Sequence, residues 1–121
     1  MMSIFIKLYE NKMYLKNTKT NIEHTIIANK PFSLGGLLIG NIDEAIINIK
    51  NGIKQVMPRI FLIKPKIYLQ PMKDTNEITQ TELHGYIEAF YKAGARKIII
   101  IKNEDEVDKK QQSERPGVLI L

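Results

Sequence analysis

The sequence predicts an α/β domain with a mixed sheet, in which a three-strand antiparallel meander is followed by helix, strand, helix and strand. Three observations carry this. Apolar and polar residues alternate from Ile4 to Leu15, and a Thr- and Ile-containing run follows from Ile22 to Ala28, as in half-buried strands. Two later segments combine helix-start signals with an apolar stripe. Ile98 to Ile101 is continuously apolar, the pattern of a strand covered on both sheet faces.

Taken in order, Ile4, Ile6 and Leu8 alternate with Phe5, Lys7 and Tyr9, and Met13-Tyr14-Leu15 resumes the pattern after Glu10-Asn11-Lys12, which predicts a hairpin. A polar turn from Asn17 to Asn21 leads to the third strand, Ile22 to Ala28, which Asn29-Lys30-Pro31 ends. Phe32 to Gly40 contains Gly35-Gly36 and has no clean period, so it reads as a loop with a short extended piece at Leu37-Leu38-Ile39. Asn41 and Glu44 have capping-box spacing; Ile42, Ala45, Ile46, Ile49 and Ile53 share a helix face, and Asn51-Gly52 is the expected left-handed stop. Gln55 to Lys64 stays open between a helix broken at Pro58 and an extended connector.

Ile67 and Leu69 lie on a strand from Lys66 that ends at Pro71, and the loop from Met72 to Ile78 carries Lys73, Asp74 and Glu77 toward solvent. Thr79 and Glu82 form a second capping box, and Leu83, Tyr86, Ile87 and Phe90 form the buried stripe of a helix stopped by Gly94. The charged segment from Lys102 to Gly117 is expected to be a mobile tail, with Val118 to Leu121 returning as an edge strand. Right-handed crossovers would set the strands at Lys66 to Gln70 and Ile98 to Ile101 parallel to the first strand.

At 121 residues the chain is the size of one domain. It opens on Met1-Met2 and closes on Leu119-Ile120-Leu121 without a tag or linker, so the expectation is a complete small protein. The net charge of +5, from 18 Lys and Arg against 13 Asp and Glu, favours acidic partners. The basic residues Lys7, Lys12, Lys16, Lys19, Lys30, Lys50, Lys54, Lys64 and Lys66 are scattered along the chain without a basic block, which disfavours nucleic acid. With no cysteine there is no disulfide, thiolate nucleophile or cysteine zinc site. No signal peptide or long apolar span is visible, so a cytoplasmic protein without membrane insertion is expected.

One stretch carries a family resemblance. Lys66-Ile-Tyr-Leu-Gln-Pro71, Ile78-Thr-Gln-Thr-Glu82 and Ala89-Phe-Tyr-Lys-Ala-Gly-Ala-Arg-Lys-Ile-Ile-Ile-Ile101 resemble the first subdomain of the MreB-type bacterial actin-like ATPases. The resemblance implies half of an actin-like or ribonuclease H-like superfold. It also implies where a nucleotide would sit, and there the chain departs from the family. In place of the Asp-x-Gly-Thr turn of the first hairpin it has Lys7-Leu8-Tyr9-Glu10-Asn11-Lys12, with a carboxylate at Glu10 where phosphate oxygens would lie. After Ile101 it has Lys102-Asn103-Glu104-Asp105-Glu106 rather than Glu-Glu-Pro. No ATP hydrolysis and no cofactor are therefore expected.

Other catalytic patterns are weak. Asp74, Glu77 and His84 could form an acid–base or metal cluster, but their spacing fits a capped helix with acidic residues near its start, and His24 sits apart on a strand. Ser33 and Ser113 have no nearby histidine, and Gly35-Gly36 is followed by Leu37-Leu38-Ile39 rather than by Lys or Ser, as a turn would be. Tyr86, Phe90 and Tyr91 read as core and rim rather than as a platform for bases.

A protein-binding role remains: a domain with an enzyme-like fold and an exposed sheet face, working on another protein's surface. The partner would be an acidic toxin domain, as for a bacterial immunity or antitoxin protein, or an actin-like filament or pilus component. A divergent hydrolase using Asp74, Glu77 and His84 is the enzyme alternative. The expected partner-binding residues are Lys64, Lys66, Lys73, Asp74, Glu77, Lys92 and Arg96.

Overall fold

The first strands are β1 (Ser3–Tyr9), β2 (Lys12–Asn17) and β3 (Glu23–Ile27); α1 (Ile42–Val56), β4 (Lys66–Pro71), α2 (Gln80–Lys92), β5 (Lys97–Ile100) and β6 (Val118–Ile120) follow. They form one six-stranded sheet in the order β3-β2-β1-β4-β5-β6. The computed structural model describes residues 2–57, 64–73 and 77–103 and the backbone of 118–120. β1, β2 and β3 pair antiparallel, whereas β4 runs parallel to β1, β5 to β4 and β6 to β5. This is the expected mixed sheet, with its edge strand returned at Val118–Ile120. The segment expected to be a mobile tail lies, from residue 104 to 117, outside the described residues.

Alternation assigns the two faces. Ile4, Ile6 and Leu8 of β1, Met13 and Leu15 of β2, Ile67 and Leu69 of β4 and Ile98 and Ile100 of β5 join one core with Ala45, Ile49 and Val56 of α1 and Tyr86, Ala89 and Phe90 of α2. Both helices therefore lie on the same face. On the other face Phe5, Tyr68, Ile99 and Ile101 form a second buried cluster with Tyr14 at its margin. The expectation of an exposed sheet face is corrected there: its centre is buried, with Phe5, Tyr68, Ile99 and Ile101 each at most 1% exposed.

α1 begins where expected, with the Asn41 side chain accepting from the Glu44 amide at 3.2 Å. Its end is a correction. Asn51-Gly52 is no stop; the helix runs through Gly52 to Val56 and ends on Met57, immediately before Pro58, which disfavours helical backbone in the residue preceding it. Gly52 is there for close approach, since a Cβ at this position would lie 2.7 Å from Leu15 Cδ1. Asn17, 1% exposed, ties β2 to that helix end by donating from Nδ2 to the Val56 carbonyl at 3.1 Å. Its Oδ1 accepts from the amides of Lys19 and Thr20. One buried side chain thus satisfies a terminal helix carbonyl and shapes the β2–β3 turn.

α2 carries the full capping box, with the Glu82 amide donating to Thr79 Oγ1 at 3.1 Å and the Thr79 amide to Glu82 Oε1 at 3.0 Å. It ends on Ala93, and Gly94, the stop read from the sequence, follows with φ +114°. The buried face is broader than the predicted stripe: Glu82, Gly85, Tyr86, Ala89 and Phe90 are buried, while Leu83 and Ile87 lie at its rim.

Candidate functional site

Two surface features emerge from this frame, one on the meander and one at the strand ends. On the meander, the face opposite the helices takes Phe5, Lys7 and Tyr9 from β1, Lys12, Tyr14 and Lys16 from β2, and Glu23, Thr25 and Ile27 from β3. The register aligns them in rows: Phe5 beside Lys16 and Glu23, Lys7 beside Tyr14 and Thr25, Tyr9 beside Lys12 and Ile27. Cations and rings alternate as a result. The Lys7 ammonium lies 5.9 Å from the Phe5 ring centre and 5.8 Å from that of Tyr14, and the Lys12 ammonium lies 4.4 Å from that of Tyr9. Each is within the range where a ring face attracts a cation.

Phe5 and Tyr14 meet edge to face, with centres 6.4 Å apart. A shallow depression of about 250 Å³ is lined by Lys7, Tyr9, Lys12, Tyr14 and Thr25. These three strands carry a single acid, Glu23, whose carboxylate accepts from the Tyr14 hydroxyl at 2.6 Å. Among the described residues this surface therefore presents the Lys7 and Lys12 ammonium groups and the Tyr9 ring, with the Tyr14 hydroxyl and the Glu23 carboxylate paired to each other. It can bind an anionic, partly planar or apolar surface.

The second feature sits at the carboxyl ends of β1 and β4, where the chain leaves β1 toward β2 on one side and later returns as β4 on the other. Open α/β sheets place ligands at such switch points. A cleft of about 480 Å³ is lined here by Glu10, the segment from Ser33 to Leu38, Met72 and Lys73. One wall is a tight turn: Leu34 and Leu37 exchange both backbone hydrogen bonds across Gly35 and Gly36, whose φ values of +59° and +82° require residues without a Cβ penalty. This replaces the extended piece expected at Leu37 to Ile39.

Asn11 pins that loop. Its own φ is +53°, its Oδ1 accepts from the amides of Phe32 and Ser33 at 2.9 and 2.8 Å, and its amide donates to Ser33 Oγ. On the opposite wall the Lys73 ammonium donates to the Gly36 carbonyl and to Glu82 Oε2, both at 2.8 Å. Burial alone would raise the Glu82 carboxyl, but the Lys73 ammonium together with the Thr79 amide and hydroxyl outweighs it and holds the group below the ordinary range. Lys73 is thus engaged on both sides. Glu10 leaves a carboxylate in the cleft, which repels a phosphate.

The predicted partner-binding residues do not converge on one patch. Lys64 and Arg96 are exposed near the amino ends of β4 and β5, where the Arg96 amide donates to the Pro65 carbonyl. Lys92, four residues before Arg96, pairs with Glu88 at 2.9 Å. Lys73 and the exposed Glu77 lie beyond the opposite end of β4. Lys66 is 3% exposed, with its ammonium 5.8 Å from the Tyr68 ring centre, so it is no surface cation. Asp74 lies outside the described residues. His84 faces solvent with Nε2 3.6 Å from Glu88, and among the described residues no three acidic or imidazole side chains are grouped to hold a metal.

Lys7, Lys12, Lys16, Tyr9 and Tyr14 were not singled out as a site by sequence reasoning, although the signal was present. A two-residue turn at Glu10-Asn11 fixes the hairpin register, and alternation then places these five residues on one face. The chain matches no protein-family profile and no curated protein.

Proposed function

We propose that the chain is a non-catalytic, cytoplasmic protein-binding module of the bacterial immunity or antitoxin kind, which covers an acidic surface of a toxin domain. The observation that carries this reading is the lysine and tyrosine face of the meander, where the Lys7 and Lys12 ammonium groups lie against the rings of Phe5, Tyr9 and Tyr14 on strands that carry one acid, Glu23. Tyrosines supply rigid contact area and the lysines supply steering toward negative charge. No helix among the described residues is long and apolar enough to cross a membrane.

The test is binding kinetics with a co-expressed acidic toxin domain from the same gene neighbourhood. Lys7→Glu combined with Lys12→Glu is expected to slow association by about tenfold at low salt, and raising salt should erase the difference. An unchanged association rate would remove this face from the reading. A second partner class, an actin-like filament, rests on the sequence resemblance of the stretch from Lys66 to Ile101 alone. Co-sedimentation with filaments, lost in the same double variant, would select it.

A further inference from the structure

We infer that β3 is a dimerisation edge, which pairs antiparallel with β3 of a second copy about a two-fold axis through Thr25. The hydrogen-bond phase of the meander sets which backbone groups are available. The Asn17 amide donates to the Ile22 carbonyl and the Ala28 amide to the Asn11 carbonyl. Bonding residues alternate along an antiparallel pair, so His24 and Ile26 face β2, and Glu23, Thr25 and Ile27 direct their amides and carbonyls away from the sheet.

β3 is the terminal strand on this side, and three of the usual edge protections, lysine, proline and a bulge, are missing from it. Its sequence, Glu-His-Thr-Ile-Ile, contains no lysine or proline, and its register with β2 runs unbroken from Lys12 to Lys16 without a bulge. It also carries exposed apolar surface. Ile27 is 73% exposed, the most of any large apolar residue described, and Ile22, just before the strand, is 44% exposed.

Self-complementarity identifies the occupant as a second copy. A two-fold pairing must set outward-facing residues opposite one another, which leaves five centres from Glu23 to Ile27. Centring on His24 or Ile26 keeps only two outward pairs within the strand, Glu23 with Thr25 or Thr25 with Ile27. Centring on Glu23 opposes two carboxylates. Centring on Ile27 puts Glu23 against Pro31, which has no amide to donate. Centring on Thr25 pairs Glu23 with the partner's Ile27, Thr25 with the partner's Thr25 and Ile27 with the partner's Glu23, giving about six hydrogen bonds. The row from Tyr9 through Lys12 and Ile27 then continues into the second copy. The two lysine and tyrosine faces become one continuous surface, so the dimer is bivalent toward any partner of that face.

The experiment needs no other protein, so a monomer would leave the protein-binding reading intact and a failed partner assay would leave this inference intact. Sedimentation equilibrium of the full chain from about 1 to 500 μM, the span of micromolar affinities, is expected to show reversible doubling of the 13.9 kDa mass. Ile27→Lys, a change at an exposed side chain, should weaken the dimer at least tenfold, roughly, with an unchanged circular dichroism spectrum. Thr25→Pro removes only an outward amide and should do the same.

Because the chain has no cysteine, Thr25→Cys supplies a direct reading of the axis. Opposed Cα atoms in a hydrogen-bonded pair lie about 5.5 Å apart, within disulfide reach, so this variant should oxidise to a covalent dimer, whereas Lys50→Cys on the exposed side of α1 should not. A single mass of 13.9 kDa at every concentration would overturn the inference. So would a dimer indifferent to Ile27→Lys and Thr25→Pro, or equal oxidation of the two cysteine variants.

Discussion

The meander and the parallel strands belong to one sheet but solve different problems. In β4 and β5 every residue from Lys66 to Leu69 and from Lys97 to Ile100 is buried, so both faces are spent on packing. In β2 the burial alternates with the side chains, and all of β3 except Ile26 is exposed. The parallel strands are therefore core, whereas the meander divides its residues between core and surface. A surface that recognises something else can be built only on the strands that do not need both faces to fold.

Substitution can break this contrast or sharpen it. The largest effect is expected in the parallel half: Ile100→Ala, at a side chain 1% exposed, should cost about 3–4 kcal/mol in urea unfolding. Ile27→Ala on β3, at 73% exposure, should cost less than about 0.5 kcal/mol under the same conditions. Equal losses would show the two halves to be energetically alike. Next is Asn17→Ala, at the junction of meander and α1, which leaves the Val56 carbonyl and two turn amides without their partner and should cost about 2 kcal/mol.

A smaller effect, of opposite sign, is expected on α2. The Tyr86 hydroxyl is buried without a hydrogen-bond partner, and burial followed by the nearby Glu82 charge holds the phenol far above its ordinary value. Tyr86→Phe should therefore leave stability unchanged or raise it by up to about 1 kcal/mol, read as a higher melting temperature.

The smallest effect is a pH dependence at Glu82. Its folded carboxyl lies below the ordinary 4.5, so the unfolded chain binds the proton first, and the ionised group contributes stability above that value that is lost as pH falls through the folded one. Glu82→Gln should flatten the stability profile below about pH 4.5 and leave the higher range parallel to the wild type, which paired denaturation series would read.

The sequence disclosed what is local. The cap at Asn41, the capping box at Thr79 and the stop at Gly94 are each written within a few residues, and the structure has each of them. Gly52 was misread because Asn-Gly is a local stop signal, whereas the reason for this glycine is Leu15, brought against it only by the packed fold. Lys66 reads as exposed because it is a lysine at a strand start, whereas in the fold it is 3% exposed beside the Tyr68 ring. Lys7, Lys12 and Lys16 looked scattered because charge was read along the chain. Pleating and a two-residue turn gather them, and these are geometric facts rather than compositional ones.

Asn11 has a consequence for how the chain is made. Its hydrogen bonds reach residues 21 and 22 positions onward, so the first hairpin and the loop before α1 can lock together from the first forty residues or so. The strand that becomes an inner neighbour of β1, at residues 66–71, does not yet exist at that moment. At ordinary synthesis rates the ribosome needs roughly 2–6 seconds to supply it, and the β4 side of β1 waits that long for its permanent neighbour. The nascent chain thus passes through an interval in which its future centre is an open border, and a chaperone would find its strongest claim on this molecule there.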